Sequence, residues 1–144
     1  MRSTYVLSFW EKTINDPLAL MFDKKVKVYS DIMFFLSNVV QTNKVTLEDH
    51  FNFYSCVTFS RLLFDEKICD YVLTVHNKAV DYAGLIIKFE DMKNSETSVS
   101  KVNPDALFER KKELVIDEIN DLKKWFKKQL KAAPCILEQD IKIK

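Results

Sequence analysis

A chain of 144 residues, 47% hydrophobic and 30% charged, has the balance of one globular domain and not of a disordered one. Its net charge of +1 supplies no global field to draw in nucleic acid or an anionic membrane. One glycine, Gly84, and three prolines leave too little turn chemistry for hairpins, P-loops or dinucleotide folds, which need glycine where φ is positive or backbone meets phosphate.

Long helices joined by polar loops remain. Asn15-Asp16-Pro17 opens the first, with Asp16 as N-cap and Pro17 at the first helical position. Phe22, Val26, Tyr29, Met33, Leu36 and Val40 follow at spacings of four and three, a helical seam ended by Gln41-Thr42-Asn43-Lys44. Thr46, with Glu48 and Asp49 behind it, caps a second helix running to Phe64. Its Phe51, Tyr54, Val57, Phe59, Leu62 and Leu63 make it aromatic enough to predict heavy burial.

Asp65-Glu66 restarts the chain as a third helix reaching Phe89 or Met92, with a seam of Ile68, Val72, Val75, Ala79, Tyr82 and Ile86. Gly84 within it predicts close approach of a neighbouring helix, since glycine costs a helix about 1 kcal/mol. Residues 93–103 read as the one linker, and Asn103-Pro104 as cap and first residue of a fourth helix. That helix turns Phe108, Val115, Ile119, Leu122, Phe126 and Gln129 or Leu130 inward, and Pro134 ends it. The expected fold is an all-α, antiparallel four-helix bundle with helices at 17–41, 46–64, 65–92 and 104–133, a short N-terminal segment and a C-terminal tail.

Catalytic groups are sparse. His50 and His76, the only histidines, stand in no HxxxH, HExxH or CxxC spacing, so the residues predict no metal site and no cofactor. Cys56, Cys69 and Cys135 are odd in number and mostly on apolar faces, which fits reduced, inert thiols in a cytosolic setting. Glu113, Asp117 and Asp121 alternate with Lys or Arg as a surface ion-pair pattern. With no acid–base or nucleophile constellation, the chain reads as non-enzymatic. No segment reaches the roughly 18 apolar residues of a membrane span. Tyr5 to Trp10 is apolar but short, and lacks the flanks of a signal peptide.

Two features point to contacts with other molecules. Phe9, Trp10 and Trp125 are candidate interface residues, because rim aromatics bury large area at low entropic cost. Lys123, Lys124, Lys127, Lys128 and Lys131 form a basic cluster near the end of the fourth helix, where positive charge also complements the helix dipole. The cluster predicts contact with an anionic surface or nucleic acid as the alternative to a solvated face. An apolar ligand held between aromatic-rich helices is a third reading.

Several stretches taken together resemble an uncharacterised group of small bacterial helical proteins. They are Leu20 to Tyr29, Phe51-Asn52-Phe53-Tyr54, Ser60 to Ile68, Asn77-Lys78-Ala79, Arg110 and Leu122 to Leu130, with Leu-Phe-Asp at 63–65 and Trp-Phe-x-x-Gln-Leu at 125–130 the most distinctive. The resemblance covers residues 18 to 143. It implies a cytoplasmic helical domain, often preceded in that group by one membrane helix, and no known activity. At the place of that helix this sequence has only Met1 to Asp16. The expectation is therefore a cytoplasmic helical scaffold or protein-interaction domain, homodimeric or bound to another protein.

Overall fold

Pro17 is helical, as the sequence predicts. In the computed structural model, which describes residues 17–99 and 106–141 (the side chains of 96–99 excepted), α1 spans Pro17–Thr42, α2 Leu47–Leu63, α3 Glu66–Val99 and α4 Ala106–Ile141. Every described element is an α-helix. The expected cap at Asp16 and the caps and linker at 100–105 lie outside the described residues, as do Phe9 and Trp10.

The turns follow from local chemistry. α1 ends where Asn43 adopts a positive φ of 54°, a conformation asparagine tolerates better than most residues, and its N–H donates to the Val39 carbonyl at 2.8 Å. Thr46 then begins α2 with a full capping box. Its hydroxyl accepts from the Asp49 N–H at 3.1 Å, and the Asp49 carboxylate accepts from the Thr46 N–H at 3.0 Å. Asp65 performs the same service for α3, accepting from the Ile68 N–H at 3.0 Å.

Each described helix lies alongside two others, α1 beside α2 and α4, α3 beside α2 and α4, while the backbones of α1 and α3, and of α2 and α4, make no close approach among the described residues. The core lies inside this ring. α3 contributes the predicted Ile68, Val72, Val75, Ala79 and Tyr82, with Ile86 half-buried; α4 contributes Val115, Ile119, Phe126 and Gln129. Gln129 is buried without penalty because its side-chain carbonyl accepts from the Tyr71 hydroxyl at 2.9 Å, and burial pushes that phenol up to about 12. Tyr82 spans to the α1–α2 turn, donating to the Asn43 carbonyl at 2.9 Å.

Five expectations need correction. Of the expected seam of α1, Leu36 is buried and Tyr29, Met33 and Val40 pack half-buried against the core, but Phe22 and Val26 are exposed and the fully inward residues are Val28, Ile32, Phe35, Leu36 and Val39; α1 is apolar over so broad an arc that packing shifts the seam. α3 runs on to Val99 through the expected linker. No glycine or proline interrupts residues 85–99, and extending an existing helix costs far less than nucleating one. α4 likewise passes through Pro134 to Ile141. Proline costs a helix interior about 3 kcal/mol, but the turns around it bury Ala133 and Leu137, and full burial of a leucine contributes about 1.5–3 kcal/mol. The last turn is also tied to α1 by Lys25 Nζ to Asp140 at 3.6 Å.

The fourth correction concerns Gly84. It is exposed, and no atom of a described residue outside its own helical surroundings lies within 4 Å of where a Cβ would stand, so no helix approaches it. The fifth is α2, whose aromatic residues are largely exposed; it sets the site described next.

Candidate functional site

α2 has two apolar faces. Phe53, Cys56, Val57 and Ser60 turn inward, and Phe53 is 1% exposed, stacked 4.3 Å from Phe35 of α1. On the opposite side Leu47, Phe51, Tyr54 and Leu62, spaced four, three and eight residues apart, fall in one stripe. They are 74%, 71%, 60% and 74% exposed. Phe59, beside the stripe, is exposed as well. A helix needs only one apolar face to join a bundle, and of the second face Tyr54 alone makes a ring contact with another described helix.

The stripe continues onto α3. The Tyr54 ring meets the His76 ring edge-on at 6.1 Å, and the positions three before and four after His76 are Leu73 and Val80, both exposed. Ile87, one heptad further, is exposed too. Two apolar ridges thus stand on neighbouring helices. Between them lie two half-buried imidazoles: His50, four residues before Tyr54, and His76, with ring centroids 5.8 Å apart in an edge-on contact. His76 is also stacked on Phe53 at 6.2 Å with planes 9° apart. Burial, and next the charge that His76 can carry, hold His50 below its ordinary value, while Asp49 pulls the other way. Asp49 is itself engaged by the Asn38 amide of α1 at 3.2 Å.

Exposed apolar side chains on two adjacent helices, interrupted on α2 by the exposed Thr58, make this face a candidate place of contact. Sequence reading missed it by counting the aromatics of α2 together. The signal was available: Phe51, Tyr54 and Leu62 lie on the side of the helix away from Phe53, Val57 and Ser60.

The other candidate residues are dispersed. Trp125 is half-buried, edge-on to Phe126 at 5.0 Å, with Lys78 Nζ of α3 5.8 Å from its ring centre. Lys124, Lys127, Lys128 and Lys131 are exposed along the outer side of α4, none in an ion pair with a described residue, and Lys123 is half-buried. Cys56 is buried, its thiol pushed up to about 12 chiefly by burial; Cys69 is half-buried and Cys135 exposed. A groove of about 370 Å³ between α1 and α2 carries Lys27, Asp31, Asn38, Asp49 and Asn52 beside Phe34, a mixed lining. Among the described residues no three of His, Cys, Asp and Glu gather as a metal site would require, and no helix is long and apolar enough to cross a membrane. No known protein family, curated protein or solved structure matches the chain.

Proposed function

We propose that this chain is a non-enzymatic protein-interaction domain whose docking surface is the outer face of α2 and α3. The observation that carries this reading is the second apolar face of α2, with Leu47, Phe51, Tyr54 and Leu62 all more than half exposed. Covering it removes apolar area from water at about 25 cal/mol per Å². An amphipathic helix laid between the two ridges is the shape that suits it. The partner is a second copy of this chain or another protein, within a cytoplasm, as the resemblance to bacterial helical proteins implies. The four helices form an antiparallel bundle in this reading. Support comes from the start of α1 meeting the end of α4 (Lys25 with Asp140, Tyr29 with Glu138) and from Tyr71 and Tyr82 of α3 meeting Gln129 and Phe126 in reverse order.

The triple variant Leu47→Ser/Phe51→Ser/Leu62→Ser tests the docking face. It is expected to unfold within about 1 kcal/mol of the parent chain, since surface changes outside the core cost little, and to lose the association that the parent shows by sedimentation velocity or with its isolated partner. A variant that keeps that association overturns the reading.

A second reading has its own observation: four lysines on one outer stripe of α4, unpaired with any described residue. Each could release a counterion on meeting a phosphate-bearing surface. Lys124→Glu/Lys127→Glu/Lys128→Glu should then abolish a salt-dependent shift of DNA or anionic vesicles. Absence of any shift by the parent chain at low salt ends this alternative.

A further inference from the structure

The outward side of α3 carries a seam that its own bundle does not use. Asn77, Val80, Gly84, Ile87 and Asp91 follow one another at spacings of three and four, like the buried Val72, Val75, Ala79 and Tyr82, yet all five are exposed. The middle of this seam opens onto a groove of about 530 Å³, walled by Val80, Asp81, Gly84 and Lys88 of α3 and by Glu118 and Asp121 of α4. We propose that the seam pairs with itself: α3 of one copy of this chain lies antiparallel against α3 of a second copy, across a two-fold axis at Gly84. The inference rests on the α3 ridge of the docking surface above and names its partner.

Self-complementarity carries it. A two-fold at Gly84 sets Val80 and Asp81, one turn before the axis, against Ile87 and Lys88 of the second copy, one turn after it. At about 3.6 residues per turn, Val80 and Ile87 fall on one flank of the seam and Asp81 and Lys88 on the other. An antiparallel two-fold brings like flank to like flank, so apolar meets apolar and carboxylate meets ammonium, on both sides of the axis. A parallel pair would cross the flanks and set the two charges against Val80 and Ile87. Neither Asp81 nor Lys88 is in an ion pair with a described residue. One turn further out the Asn77 amide comes opposite the Asp91 carboxylate.

The axis also gives Gly84 a use. Within its own chain a Cβ at this position would meet nothing within 4 Å, whereas between two copies a bare backbone lets the helices close up. The stripe of α2 borders the same contact. His50 meets His76 and Ser60 meets Cys69, so the start of α2 lies level with Val80 on the apolar flank, and the two-fold carries Leu47 of one copy toward Ile87 of the other.

The test is charge exchange in the full chain, read by sedimentation velocity over a concentration series. Asp81→Lys sets lysine against lysine twice in each dimer, and Lys88→Glu sets carboxylate against carboxylate. Each is expected to raise the dissociation constant about 10-fold or more, with unchanged helical circular dichroism. Mixed in equal amounts, the two variants restore both pairs in a heterodimer, as Asp81→Lys/Lys88→Glu does in a single chain. Both are expected to return toward the parent's dissociation constant, a rescue that a folding defect would not permit. A parent chain that stays monomeric at millimolar concentration, single variants that dimerise as it does, or a mixture no tighter than its components would each overturn the self-pairing. The docking face is then judged by Leu47→Ser/Phe51→Ser/Leu62→Ser alone. A dimer that survives that triple change yet responds at positions 81 and 88 sinks the docking reading and keeps the pairing of α3.

Discussion

Gly84 is the residue most plainly out of place. It stands in the middle of a 34-residue helix, it is exposed, and a methyl group there meets nothing within 4 Å. Its φ is negative, so alanine can take its place without strain, and a glycine in a helix interior costs about 0.5–1 kcal/mol relative to alanine. Gly84→Ala is therefore expected to raise the free energy of unfolding by that amount, measured by urea denaturation. An unchanged or lower value would mean that an unseen contact crowds this position. The cysteines divide by the same logic of surroundings: Cys56, buried with its thiol held at about 12, should resist alkylation in the native chain, whereas exposed Cys135 should be modified first.

Among the elements, α2 shows best how sequence and packing share the decision. Its two faces predict two different costs. Phe53→Ala, which empties a core position against Phe35, should destabilise by about 3–5 kcal/mol, whereas Phe51→Ala, two residues earlier on the exposed side, should stay within about 0.5 kcal/mol in the same denaturation series. The capping box at Thr46 and the seam of α3 from Ile68 to Tyr82 were legible because local chemistry alone determines them. The face of α1, the passage of α4 through Pro134 and the extension of α3 past Met92 were not. Each turns on what a neighbouring helix covers, as when burial of Leu137 and the tie of Asp140 to Lys25 hold the last turns of α4 in place. The candidate site was hidden for a related reason. An aromatic residue looks the same in a sequence whether it fills a core or waits for a partner; spacing separates Tyr54 from Phe53, but the packing of Phe53 on Phe35 is what shows which of the two faces is the inner one.

For the molecule as a whole, the four described helices close a ring around one core, and exposed apolar side chains remain on the outward side of α2 and α3 as well as along α1, Leu18 and Phe34 above all. The lysine stripe lies on α4, whose backbone makes no close approach to that of α2 among the described residues. The two readings of function therefore concern separate surfaces and can be separated by position. A photoreactive phenylalanine analogue placed at Phe51 in one version of the full chain and at Lys128 in another makes the comparison in a single cross-linking experiment. The docking account predicts one defined product from position 51, a dimer or a complex with one other protein, and none from position 128. Products from position 128 alone, with none from position 51, would contradict it.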